Sequence, residues 1–172
     1  SFCEFTTVTD ATFVGFKNYL RIWGDKTFIH SLWYTALFTV VSVLTINILA
    51  FAVAMLLTKG IKGTNIFRTV FFMPNLIGGI VLGYIWQMII NGVLLKAGVD
   101  ITYAAKYGFW GLVVLMNWQM IGYMMIIYIA GLQSIPKELK EASAIDGATP
   151  FQALRHVTIP LLSSSFTICF FL

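Results

Sequence analysis

Charged residues interrupt this chain only at wide intervals, and the apolar stretches between them set its organisation. The first uncharged run extends from Ser31 to Leu57, the second from Thr69 to Leu95 and the third from Tyr107 to Pro136. A helix crosses a bilayer with ~20 mostly apolar residues at ~1.5 Å rise each. Each run therefore predicts a complete membrane span, with tilt or irregular ends absorbing the excess length. A fourth run starts at Val157 and is still apolar at Leu172, which predicts a last visible span that is truncated. No polar flank follows it, and the mixed segment from Ser1 to Lys26 has no initiator Met, basic n-region or signal-peptide pattern. The expectation is a fragment with further chain on both sides. In outline, residues 1–27 form an external segment, residues 28–160 a transmembrane core with a hydrophilic connection at 134–160, and residues 161–172 the truncated span.

The spans carry too many Gly, Thr, Asn and Gln residues to be simple anchors. Thr35, Thr39 and Ser42 put three hydroxyls on one face of the first, and Gly79 and Gly83 form a small-xxx-small pair in the second. Both sets predict helix packing. In the third span Gln119, Gly122 and Tyr123 share a face while Asn117 lies elsewhere, so a polar pathway along that side competes with packing as the reading. Pro74 with Asn75 should loosen one turn of the second span.

Composition turns this pattern into a solvent argument. Charged residues are 10% of the 172, where a soluble domain has about 25%. Apolar residues reach 59% and mean hydropathy is +0.86. Too few polar side chains are present to cover a water-facing surface, so lipid takes the place of water as outer solvent. The eleven Lys and Arg residues behind the +4 charge are scattered singly, which argues against nucleic acid as a partner. Cys3 and Cys169 define neither a disulfide framework nor a metal pair.

Charge orients the chain only weakly. Lys59, Lys62 and Arg68 crowd the first connection and place it, with Gln133 to His156, on the cytoplasmic side. Lys96 and Lys106 then lie outside, as do Lys17, Arg21 and Lys26, for a tally of six cations inside against five.

The hydrophilic connection from Ile135 to Pro160 reads as two short helices with a turn between them. Pro136 suits a first helical position, Leu139, Ala142 and Ser143 make a narrow face, and Gly147 stands where a left-handed residue ends a helix. Thr149 caps and Pro150 restarts a second helix. Ala142 and Ala144 leave little bulk, so this helix can seat in a groove of another protein, with Glu141 offering a charge for pairing. A solvated loop helix without a partner is the alternative at this level.

Glu141-Ala142-Ser143, Asp146-Gly147-Ala148 and Ile159-Pro160 resemble the EAA signature of binding-protein-dependent ABC import permeases, with glycine and final proline thirteen residues apart. Ser143 replaces the second alanine, and Leu154 stands where an aromatic residue is common. Phe13-Val-Gly-Phe-Lys-Asn-Tyr19, Phe28 to Thr35, and Phe67-Arg-Thr-Val-Phe-Phe-Met-Pro74 resemble the sugar-permease branch, similar to maltose and glycerol-phosphate permeases. The resemblance implies an all-α, polytopic transmembrane helical bundle of the MetI-like, type I ABC importer kind, lacking its first and last spans here. It implies that the EAA loop is cytoplasmic and docks on an ATP-binding cassette ATPase dimer. The coupling residues would be Glu141, Ala142, Ser143, Asp146, Gly147, Ala148 and Pro160, with Glu141 paired to a basic residue of the ATPase. It further implies a second permease subunit, giving a heterodimer, an external solute-binding protein, and a place in a bacterial-type cell membrane. ATP would be bound by the partner subunits, and this chain would need no cofactor.

For cargo the resemblance implies a sugar, oligosaccharide or related polyol, with Tyr123, Gln119 and Asn117 as pathway candidates. A ring stacks on the apolar face of a sugar, and an amide both donates to and accepts from hydroxyls. An ion-coupled secondary transporter would keep ionisable residues inside its spans, and the three complete runs hold no Asp, Glu, Lys, Arg or His. His30 sits at the edge of the first and reads as interfacial. A membrane enzyme would need a nucleophile, an acid–base pair or a metal set, and neither GxxxxGK[ST] nor a His-rich spacing occurs. A non-transporting scaffold has no need of a lever loop.

Overall fold

A computed structural model describes residues 2–5, 11–60, 63–94 and 105–172. Lys62 and Lys96, used above for orientation, lie outside the described residues, as does Leu95. The chain divides into two units, Ser1–Val40 and Val41–Leu172.

The first unit contains an element that the apolar runs do not announce. Strands β1 (Cys3–Phe5) and β2 (Ala11–Phe13) pair antiparallel with Cys3 opposite Phe13. Helix α1 (Lys17–Gly24) follows, and the Asn18 amide donates back to the Cys3 carbonyl at 3.3 Å. Asp25 separates α1 from the long helix α2 (Lys26–Leu57). Its N–H closes α1 on the Ile22 carbonyl, and its carboxylate accepts from the Thr27 N–H at 2.8 Å, capping the start of α2. Thr35 and Thr39 turn their hydroxyls back onto the carbonyls of Ser31 and Thr35, each at 2.9 Å. Both are exposed, whereas Ser42 is buried, so the expected hydroxyl face is divided by burial.

In the second unit, α2 continues to Leu57 and presents Ile46, Ala50, Ala54 and Leu57 as one buried stripe. Against it pack Met124, Met125, Tyr128, Ile129 and Leu132 of helix α5 (Ala105–Ser134). Ala50 and Ala54 are fully buried at the centre of this stripe. Phe51, Tyr128 and Phe166 lie with ring centroids 5.1 to 5.5 Å apart and join α2 and α5 to the last helix, α9 (Ser163–Phe171).

The turn expected to loosen at Pro74 and Asn75 in the second apolar run is a sharp bend. Helix α3 (Thr64–Phe72) passes into a 3-10 turn at Met73–Leu76, Ile77 is extended, and helix α4 (Gly79–Leu94) leaves at 100° to the preceding segment. Pro74 lies in that turn and has no N–H to give the preceding turn, so the ladder tightens and breaks just after it. The fourth run is bent as well, by 65° at Leu162. Among the described residues two uninterrupted helices, α2 and α5, are long and apolar enough to cross a membrane, or up to four elements if each bent pair counts as one span. In their most apolar windows only 33% and 39% of residues are buried, as suits helices whose outer faces meet lipid.

The small-residue contacts lie elsewhere than expected. A Cβ added at Gly79 or Gly83 would meet nothing within 4 Å. The close approaches are on α5: a Cβ at Gly122 would strike the Phe71 carbonyl and come within 2.9 Å of the Phe72 Cα, and one at Gly131 would meet Ser165 and Leu162. Helix α5 is thus the hub on which α3, the 3-10 turn, α4 and α9 pack.

Candidate functional site

Between α5 and α9 the chain builds a polar corner. Pro136 takes the N-cap position of helix α6 (Lys137–Ile145), one residue earlier than the expected first helical position. Glu138 lies in its first turn, where a negative charge suits the helix dipole. At the other end Asp146 is the C-cap and Gly147 adopts φ +75°. The Ala148 N–H reaches the Ser143 carbonyl at 3.0 Å and the Gly147 N–H reaches that of Ala144 at 3.1 Å. These paired bonds form the Schellman arrangement, and the left-handed residue is glycine because a Cβ is disfavoured there.

The chain restarts at once. Thr149 caps helix α7 (Pro150–Ala153) in a capping box: its side chain accepts from the Gln152 N–H, and the Gln152 side chain accepts from the Thr149 N–H at 2.8 Å. A π-helical turn, Leu154–Thr158, then runs into helix α8 (Ile159–Leu161), which holds Pro160. The widened turn immediately precedes the proline that lacks an N–H. A cavity of about 300 Å³ lies beneath this corner, lined by Ser143 and Ala148 of the first turn, Leu154 and Thr158 of the second, and Met55 near the end of α2. Glu141, Ala142, Asp146 and Gly147 are exposed on the outer side, and among the described residues no ion pair engages Glu141. The corner is therefore held from within by backbone bonds and leaves Glu141 and Asp146 exposed, as are Lys137 and Lys140 of the same helix.

A second polar feature runs between α2 and α5. The Asn117 amide donates to the Thr45 hydroxyl at 3.0 Å and to its own helix at the Val113 carbonyl, 2.8 Å. Further along, the Tyr128 hydroxyl donates to Asn47, whose amide bonds back to Val43. Ser42 Oγ and Asn117 Oδ1 are buried without a hydrogen-bond partner among the described residues. Asn47 also borders a cavity of about 580 Å³ between α2 and α9, lined mainly by apolar side chains such as Leu44, Phe51 and Phe170, with Lys59 and Met55 also on its wall.

The pathway candidates from the sequence take different places in this arrangement. Gln119 and Tyr123 are half-buried, and Tyr123 packs against the core. Gly122 is the contact with α3, and Asn117 is a rung between α5 and α2. Thr45, Asn47 and Tyr128 were not anticipated. Their signal is a pair of polar side chains within one apolar run facing one in another, which pattern alone does not pair. The described residues contain no group of His, Cys, Asp and Glu able to hold a metal.

Comparison with known proteins adds the following. Residues 48–172 match the family described as binding-protein-dependent transport system inner membrane component. The chain is 41% identical to a probable starch degradation products transport system permease protein, AmyD, of Thermoanaerobacterium thermosulfurigenes, covering all of this chain (100%) and 62% of that one. It is 30% identical to the trehalose/maltose transport system permease protein MalF of Thermococcus litoralis, over 92% of this chain and 57% of that one. With the arabinooligosaccharides transport system permease protein AraP of Bacillus subtilis it shares 33%, over 89% and 52% of the two chains. The chain thus spans between half and two thirds of the length of these relatives. Its fold is similar to a chain of a bacterial ABC transporter that imports the acidic polysaccharide alginate, with a TM-score of 0.76 at 19% identity, over 91% of this chain and 59% of that one.

Proposed function

Because the chain belongs to the family of binding-protein-dependent transport system inner membrane components, we propose that it is part of the membrane-spanning permease of an ABC importer for a sugar, oligosaccharide or related polyol. The relatives named for starch degradation products, trehalose and maltose, and arabinooligosaccharides support that cargo class. The observation that carries the mechanism is the corner at Gly147. Its hydrogen bonds close α6 directly before the cap of α7, while Glu141 stays exposed.

In this reading α6 is the lever. It docks in a cleft of an ATP-binding cassette ATPase, Glu141 pairs with a basic residue there, and the movement passes through the floor of the corner to Met55 on α2 and along Pro160 into α9. Closure of two ATPase subunits on ATP then switches the bundle between inward-facing and outward-facing states, and an external solute-binding protein delivers the cargo. The chain itself supplies no ATPase site and holds no cofactor. Tyr123 and Gln119 line the solute path, with Asn117 behind them in its bond to Thr45. A second permease subunit completes the pore in a bacterial-type cell membrane.

The test is to purify the complete protein together with the products of neighbouring genes and reconstitute it in vesicles. Co-purification of an ATPase and a second permease, with uptake that needs ATP and a solute-binding protein, is the expected result. Uptake driven by an ion gradient in vesicles without any ATPase would reject the reading.

A further inference from the structure

Helix α1 leaves a large apolar face uncovered. Phe16, Leu20 and Trp23 recur at four and three residues and are 70%, 74% and 66% exposed, and Phe13 beside them is 78% exposed. At 100° per residue, Tyr19 and Ile22 fall on the same arc, while Lys17, Asn18 and Arg21 occupy the other side. Phe2 lies edge-on to Phe16 at 5.5 Å, tilted against Tyr19 at 5.4 Å and stacked on Phe13 at 6.5 Å, and still leaves the four side chains above exposed.

The position of the helix names the occupant. One extended residue, Asp25, separates α1 from the membrane-crossing α2, and its two hydrogen bonds end the first helix and cap the second. Trp23 at the end of α1 packs edge-on to Phe28 in the first turns of α2, with ring centroids 6.4 Å apart. A helix tied this closely to the end of a span lies at the level of the lipid headgroups. There an aromatic and aliphatic face finds the acyl boundary, and Lys and Arg extend their charged ends to phosphates.

We propose that α1 is an interfacial helix that lies in the plane of the bilayer surface, with Phe13, Phe16, Leu20 and Trp23 embedded at the acyl boundary and Lys17 and Arg21 on anionic lipid headgroups. This gives the cations Lys17 and Arg21 a role in contacting phosphate whichever side of the membrane they occupy. The helix sets the depth at which α2 enters the membrane. The assignment rests on α2 being a span and is independent of the importer reading.

The test uses the complete protein in vesicles of phosphatidylethanolamine and phosphatidylglycerol, with Cys3→Ser and Cys169→Ala as background. Single cysteines at Phe16, Lys17, Leu20, Arg21 and Trp23 carry a nitroxide label. The expected result is alternation: labels at Phe16, Leu20 and Trp23 collide with oxygen several-fold more than with a water-soluble nickel chelate, and labels at Lys17 and Arg21 show the reverse. Nickel access at all five positions overturns the proposal. Occlusion of the apolar positions from both reagents, or their immobilisation only after a solute-binding protein is added, also overturns it, since the face then belongs to a protein. Should the cysteine-free background fail to fold, Trp23 is read in a chain whose other tryptophans are phenylalanine. Quenching by lipids brominated near the glycerol, but not by aqueous iodide, is expected there, and the opposite pattern overturns the proposal.

Discussion

The hydroxyl of Tyr128 donates to Oδ1 of Asn47 at 2.5 Å, tying α5 to α2 where both side chains are buried. The Asn47 amide nitrogen is already used on the Val43 carbonyl at 2.8 Å, so its oxygen depends on the tyrosine. Removing the donor in Tyr128→Phe keeps the ring against Phe51 and Phe166 and leaves that oxygen unpaired. The expected loss is about 1 kcal/mol, the scale of hydrogen bonds between membrane helices. Unfolding of the complete protein in micelles measures it. The same substitution made in an Asn47→Ala background should cost almost nothing; an undiminished cost there would mean that the bond is not what the tyrosine contributes.

Gly122 is the closest approach of α3 to α5. A methyl group there meets the backbone of Phe71 and Phe72, which cannot swing aside as a side chain would. Gly122→Ala should therefore destabilise the chain by at least the ~1–3 kcal/mol typical of overpacking. Gly83→Ala, inside α4, meets nothing within 4 Å and is the control, expected to keep stability or gain up to ~1 kcal/mol from helix propensity. Equal melting midpoints for the two variants would contradict this placement of α3.

The contrast between these glycines explains how far the sequence could be read. Apolar run length locates α2 and α5 because crossing a bilayer sets one length requirement for any helix. The turn at Gly147 and the cap at Thr149 are legible because both are local: the residues that close the backbone lie within a few positions of each other. Which glycine meets another helix is a long-range property. The pair Gly79 and Gly83 matches the spacing for close packing but faces open space within this chain, whereas Gly122 and Gly131 carry the contacts. Pro74 announced a loosened turn, yet a bend of 100° depends on what the two arms pack against. The Asn47–Tyr128 and Thr45–Asn117 pairs are hidden for the same reason, since their partners are 81 and 72 residues apart.

The corner gives a direct test of rigidity. Gly147 holds φ +75°, a region a β-branched residue rarely occupies. Gly147→Val should strain the turn by ~1–2 kcal/mol and loosen the bonds from Gly147 and Ala148 back to α6. On the importer reading, uptake falls severalfold while the protein still inserts and the α2–α5 core melts at its usual temperature. Uptake at the parental rate, with hydrogen exchange showing the corner distorted, would separate the turn from the transport step.

Glu141 poses the complementary question, because its side chain is exposed and has no ion pair among the described residues. Its removal costs the fold little, as surface substitutions away from buried contacts generally change stability by less than ~0.5 kcal/mol. On the importer reading, Glu141→Ala in the complete assembly should leave expression and melting unchanged while reducing ATP hydrolysis stimulated by solute and its binding protein. Glu141→Gln keeps the size and loses the charge, so it should follow the alanine variant if pairing is ionic. Glu141→Asp retains the charge on a shorter arm and should recover part of the stimulation. Full stimulation in both neutral variants would remove Glu141 from coupling and leave the backbone corner at Gly147 as the part of the loop that transmits movement.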